Sequence, residues 1–224
     1  MTTRETRAAA HVVQRLTPSE RADRYRRAFP DYPAVYSDKD WLLGQWCMGN
    51  DYRGFGYYGA YPPSYLRRVL SMFPEPRGRV LHLFSGSLPP GLYVRLDLRS
   101  NVSTDVRGHA ELLPFQSESF DLILADPPYS DEDAARYGTC LIDRRKVFAA
   151  CSRVLRPGGH LVWLDMVHPM YRKADLRLWG EIGITRSTNH RYRIATFFER
   201  QPRAAGTPPP RTESPMESGS FEFA

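Results

Sequence analysis

Asp126-Pro127-Pro128-Tyr129 directly follows the apolar run Phe120-Asp121-Leu122-Ile123-Leu124-Ala125, the clearest strand signal in the chain. Two prolines cannot continue a central strand, so the run must stop there and leave the motif at a strand end. The four residues suit one kind of chemistry. An aromatic exocyclic amine is a poor nucleophile because its lone pair is delocalised into the ring, and acceptors on both of its N–H bonds localise that pair. The Asp126 carboxylate can take one hydrogen bond and the Pro127 carbonyl the other, while Pro127 and Pro128 fix both acceptors in advance. Tyr129 can lie against the face of a base and hold the amine in line with its electrophile. The plainer reading is a rigid turn that ends a strand, with Asp126 capping backbone N–H groups.

The elements that must position this motif can be read around it. Arg79 to Phe84 is a short apolar run ending in Ser85-Gly86-Ser87, and Tyr93 to Leu98, which contains Asp97, is a second; both read as buried strands. Val102 to Val106 is a third candidate. Leu66, Val69, Leu70 and Phe73 recur at helical spacing after Tyr61-Pro62-Pro63, so a helix precedes the first core strand. Arg144 to Leu155 is a second helix, ended by Arg156-Pro157-Gly158-Gly159 before a strand from His160 to Asp165. Ile182 to Ser187 and Tyr192 to Glu199 read as a terminal antiparallel hairpin. This order implies an α/β fold with a mostly parallel sheet and ligands at the carboxyl ends of its strands. Only about 13 positions separate Phe84 from Asp97, too few for a full crossover helix, so the first crossover is a loop or a single turn.

The flanks divide the chain into residues 1–56, 57–200 and 201–224. The first part is a helical arm rich in arginine (Arg15, Arg21, Arg24, Arg26, Arg27 among them), with Thr17-Pro18-Ser19-Glu20 as a helix start, followed by an aromatic segment. The arm is either a solvated charged face or a phosphate-contacting element. The aromatics (Trp41, Trp46, Tyr52, Phe55, Tyr57, Tyr58, Tyr61) either stack on a base or pack on the main domain as a lid. The last part is rich in Pro, Gly and Ser and reads as a disordered tail.

Composition narrows the class. A formal charge of +6, mostly from arginine, favours phosphate or nucleic-acid partners. Cys47, Cys140 and Cys151 are scattered and odd in number, none in a CxxC pair with zinc-ligand spacing, which fits a reducing cytoplasm. The six histidines are dispersed, with no metal-ligand spacing, so no metal is expected. No run reaches the ~18 apolar residues of a membrane span, and the amino terminus lacks the apolar core of a signal peptide.

Taken together, the motifs resemble those of class I S-adenosylmethionine-dependent methyltransferases, specifically the DNA amino-methyltransferases that carry Asp-Pro-Pro-Tyr; the similarity spans about residues 57 to 200. The resemblance implies a Rossmann-like sheet and S-adenosyl-L-methionine as cofactor. Phe84-Ser85-Gly86-Ser87 is similar to the family's cofactor loop and would approach the methionine moiety. Asp97 matches the acid that accepts both ribose hydroxyls. Gly108-His109-Ala110-Glu111-Leu112-Leu113-Pro114-Phe115 resembles the stretch that reads the adenine, placing His109 and Ala110 in the cofactor site. The chain departs from the pattern where His82 and His109 replace acids and Leu88 replaces a glycine. The expected activity is methylation of the exocyclic amine of adenine in DNA, with target recognition of low specificity or supplied by a partner subunit. The alternatives are methylation of RNA, protein or a small-molecule amine, or a non-catalytic module on a degraded methyltransferase fold.

Overall fold

The computed structural model describes residues 15–49, 61–62, 64–74, 79–186 and 191–202. Tyr52, Phe55, Tyr57, Tyr58, the arginines before Arg15 and the tail from 203 lie outside these residues.

One nine-stranded sheet organises the molecule. In chain order its elements are α1 (Pro18–Ala28), β1 (Val35–Asp38), β2 (Trp41–Met48), α2 (Tyr65–Ser71), β3 (Val80–Leu83), β4 (Val94–Asp97), β5 (Val106–Arg107), β6 (Phe120–Ala125), α3 (Asp131–Arg136), α4 (Arg144–Val154), β7 (Leu155–Asp165), β8 (Leu176–Arg186) and β9 (Arg193–Arg200). Across the sheet they run β1-β2-β8-β9-β7-β6-β3-β4-β5. Strands β4, β3, β6 and β7 run parallel to one another, whereas β9 inserts antiparallel between β7 and β8. The mostly parallel α/β sheet with an antiparallel carboxyl-terminal hairpin is therefore the observed fold. No helix lies between β3 and β4.

Strand β6 is buried along its whole length, and its alternating side chains feed two cores. Leu122 and Leu124 join Tyr25, Val69 and Met72 on the face covered by α1 and α2. Ile123 and Ala125 join Val147, Phe148, Cys151 and Val154 of α4 on the other. The buried stripe of α4 follows from its helical periodicity, and Asp143 caps it by accepting from Arg145 N–H at 2.9 Å and Lys146 N–H at 3.3 Å.

Three expectations need correction. The third strand covers Val106 and Arg107 rather than starting at Val102, whose side chain is buried off the strand. The boundary at 56 does not separate an appendage, because β1 and β2 are members of the sheet, β2 pairing parallel to β8 from Leu42 opposite Gly180 to Met48 opposite Arg186. A Cβ at Gly180 would stand 2.6 Å from the Leu42 Cβ, so glycine permits this approach. The basic helix is not a free arm either. Helix α1 begins with a capping box, Glu20 N–H donating to Thr17 Oγ1 at 3.2 Å and Thr17 N–H to Glu20 Oε2 at 2.8 Å. It then buries Arg21, which donates to the Met72 carbonyl at 2.8 Å and to His160 Nε2 at 2.7 Å and lies over the Phe73 ring. Arg15 pairs with Glu199 of β9 at 2.6 Å. Among the aromatics, Trp46 is fully buried and stacks on Tyr25 at 5.6 Å, so it packs onto the domain.

Candidate active site

Strand order reverses between β3 and β6, which leaves a crevice beyond the carboxyl ends of the strands. A cavity of about 730 Å³ occupies that crevice, within the usual range for a small-molecule site. Phe84 from the end of β3, Asp97 from the end of β4, His109 and Ala110 from the loop after β5, and Asp126 to Tyr129 from the end of β6 all line it. Two groups of residues identified separately in the sequence thus share one chamber. Ser85, Gly86 and Ser87 do not line it; Gly86 acts from behind, its N–H donating to Asp97 Oδ2 at 2.8 Å.

At the β4 end, Phe84 (φ 56°) and Gly86 (φ 54°) both adopt the left-handed region, a strained arrangement for phenylalanine that turns the chain sharply after β3. The turn brings the Gly86 N–H to Asp97. Asp97 is buried, which by itself would raise its carboxyl. Hydrogen bonds from the Arg99 guanidinium and the backbone N–H groups of Arg99 and Gly86 outweigh burial and hold it below the ordinary carboxylate range. Arg99 Nε and Nη2 each reach Asp97 at 3.1 Å, and its guanidinium lies over Tyr137, 5.1 Å from the ring centre. Leu96, Leu98 and Ala110 make the adjoining wall apolar.

At the β6 end the balance is reversed. Burial pushes the Asp126 carboxyl up to about 7, against the Tyr129 hydrogen bond and the charge of Arg193, which pull it down. The Tyr129 hydroxyl donates to Asp126 Oδ1 at 2.5 Å, and Arg193 lies over the Tyr129 ring at 5.2 Å. This differs from the expected role of Tyr129 as a plate for a base: here the hydroxyl orients the carboxyl and one ring face carries a guanidinium. Arg144, the first residue of α4, braces the motif by donating to the Tyr129 carbonyl at 3.3 Å and to Asp165 Oδ2 at 2.8 Å. Ser130 caps α3, accepting from Asp133 N–H at 3.2 Å, and Asp133 pairs with Arg191 at 3.0 Å.

His82 does not reach the cavity. It lies beside Tyr61 and Tyr93, its Nδ1 3.4 Å from the Tyr61 hydroxyl, and burial pushes it down to about 4, so it is a neutral structural imidazole. Residues that sequence reasoning passed over are Arg99, Tyr137 and the arginines Arg186, Arg191 and Arg193 of the β8–β9 hairpin, all of which line the chamber. The signal for the last three was no more than a high arginine content. Among the described residues no group of three or more His, Cys, Asp or Glu could hold a metal ion, and no helix is long and apolar enough to cross a membrane.

Parts of the chain are similar to known proteins. Residues 93–163, spanning β4 to β7, match the family described as a methyltransferase domain. The phthiotriol/phenolphthiotriol dimycocerosates methyltransferase 1 of Mycobacterium ulcerans is 33% identical over 112 residues, covering 45% of this chain and 38% of that protein. The corresponding Mycobacterium leprae methyltransferase is 41% identical over 61 residues, covering 27% and 19%. The chain thus spans less than two-fifths of the length of the curated relatives it matches. Among solved structures, TrmN from Thermus thermophilus aligns with a TM-score of 0.45 and 19% identity over 63% of this chain and 50% of that one. Geranyl diphosphate methyltransferase in complex with GPP and sinefungin aligns with a TM-score of 0.38 and 12% identity over 57% and 74%. The strand order and the position of the cavity are those of a Rossmann-like α/β fold, and the segment of it from β4 to β7 is similar to a methyltransferase domain.

Proposed function

We propose that this protein transfers a methyl group from S-adenosylmethionine to a nitrogen or oxygen of a small-molecule acceptor held against Asp126. The observation that supports this most is one cavity lined both by Asp97, which neighbouring donors hold below the ordinary carboxylate range, and by Asp126, whose carboxyl burial raises to about 7. The names of the partial relatives, which are methyltransferases of phthiotriol and phenolphthiotriol dimycocerosates, point toward small molecules too.

The residues at the β4 end fit the donor. Asp97 turns its carboxylate to the cavity, where a ribose diol would take over the bonds now made by the Arg99 guanidinium. Leu98 and Ala110 offer an apolar slot for adenine, with His109 at its edge. When bound, the donor supplies an electrophilic sulfonium methyl group. The remaining work falls to this chain. Asp126 accepts a hydrogen bond from the acceptor N–H or O–H and takes that proton as the new bond to carbon forms and the sulfur–carbon bond breaks. A carboxyl poised near neutrality can do this at physiological pH. Tyr129 fixes one Asp126 oxygen, leaving the other for the acceptor. The Pro127 carbonyl is a second acceptor for an amine, and Pro127 and Pro128 are both buried, which keeps the turn rigid.

Purified protein incubated with labelled S-adenosylmethionine and a panel of hydroxylated and amino small molecules should yield labelled product. Plasmid DNA and RNA in parallel test a second reading, which draws on the Asp126-Pro127-Pro128-Tyr129 motif and the basic charge: methylation of the exocyclic amine of adenine, with a partner subunit providing target recognition. Label confined to methylated adenine or cytosine would replace the small-molecule reading, and the absence of transfer to any acceptor would reject both.

A further inference from the structure

The hairpin side of the chamber carries an uncommon arrangement of charge. Arg186 at the end of β8 and Arg193 at the start of β9 line it together with Arg191, which is held by the carboxylate of Asp133. Arg193 is 9% exposed, yet its Nε has no hydrogen-bond partner among the described residues, and the same is true of the buried Nε of Arg186. Burying a guanidinium N–H without an acceptor is costly, and Arg95 and Arg200, both buried in the same fold, avoid it. Arg95 places its Nε and Nη2 on Asp105 and its Nη1 on two carbonyls. Arg200 donates from Nε to the Ser152 carbonyl at 2.7 Å and from Nη1 to two more carbonyls. Arg24 and Arg68 share the bare Nε, but neither lines the cavity, and Arg68 lies over the rings of Phe29, Tyr32 and Trp46 instead.

From this arrangement we infer that Arg186 and Arg193 receive an anionic oxygen group, a carboxylate or phosphate, carried by the methyl acceptor. The position supports the acceptor rather than the donor as its bearer. Arg193 starts the strand that pairs with β7, Ile194 standing opposite Asp165, and it lies over Tyr129 beside Asp126. The loop expected to meet the donor's methionine follows β3, and both β7 and β6 stand between that strand and β9. A planar guanidinium suits bidentate recognition of either oxyanion. An anion held there would set the distance from the acceptor's reacting atom to Asp126 and reject neutral analogues. The inference rests on the methyltransferase reading for the word acceptor, but the anion site itself can be measured without turnover.

Full-length protein is titrated by calorimetry with phenyl phosphate against phenol and with benzoate against benzyl alcohol. At least one anionic member should bind tenfold or more tightly than its neutral partner. Arg193→Met and Arg186→Met, separately, should each reduce that preference, and the double variant should bring it below about twofold. Arg193→Lys keeps the charge but not the planar fork and should leave a preference between those of the wild type and Arg193→Met, which separates charge from geometry. S-adenosylhomocysteine affinity should stay within about twofold in all variants. Equal binding of both members of each pair, or a preference that survives the double variant, overturns the inference. So does a matching loss of S-adenosylhomocysteine affinity, since the arginines would then hold the donor's own carboxylate. If S-adenosylhomocysteine does not bind the wild type while the anion preference is present, the methyltransferase reading fails and the anion site stands.

Discussion

Asp97 and Asp126 occupy the same structural position on two strands of one sheet, at the carboxyl end and facing one chamber, and they are held in opposite states. Asp97 is surrounded by donors: two backbone N–H groups and a guanidinium hold its carboxyl below the ordinary range. Asp126 has one tyrosine hydroxyl and a more distant arginine, and burial leaves its carboxyl near 7. Residue type does not decide which carboxyl is held ionised and which stands near neutrality; the count of donors around each does.

The sharpest test of that contrast is Asp126→Ala, which should lower the methylation rate at least a thousandfold while S-adenosylhomocysteine affinity, read by calorimetry, changes less than about twofold. Asp97→Ala should do the reverse, weakening cofactor binding about 10- to 100-fold with a much smaller change in rate at saturating donor. Equal loss of binding in both variants would erase the distinction. Arg99→Ala removes the group that now occupies Asp97 and should tighten S-adenosylhomocysteine binding by about three- to tenfold in low salt. Asp126→Asn offers a test through stability. A carboxyl raised in the folded state from 3.8 to about 7 favours folding at acid pH, and that contribution is lost as pH rises through about 7. The variant lacks this titration, so its stability relative to wild type should improve between about pH 4 and pH 7, by on the order of 3 kcal/mol, and level off above. Urea unfolding across that range reads the effect, and a flat difference would place Asp126 outside a burial-raised state.

The legible parts of the site were the local ones. Phe120 to Ala125 announced a buried strand by composition alone, and Pro127 and Pro128 marked its end, so Asp126 could be placed without any partner being known. Strand β2 illustrates the opposite case. Its buried positions, Leu42, Trp46 and Met48, follow an even spacing, but aromatic and glycine content around them resembled a loop, and its partner β8 begins more than 120 residues later. The role of Arg99 was equally hidden, because a guanidinium two residues from a carboxylate reads as ordinary surface charge until the strand end buries both. Arg186 and Arg193 flank the expected hairpin connection, where arginine usually marks solvent. It takes the assembled chamber to show that Arg193 is covered.

The pairing of β2 with β8 has a consequence for how the molecule is made. Strand β8 lies between β9 and β2, so the hairpin that carries Arg186 and Arg193 is completed by residues from near the start of the chain. A contact of such long sequence separation forms late and slowly, after its loop-closure entropy has been met by other interactions. Until then β2 has a hydrogen-bonding edge with nothing beside it, and a nascent or truncated chain would be prone to aggregate through that edge.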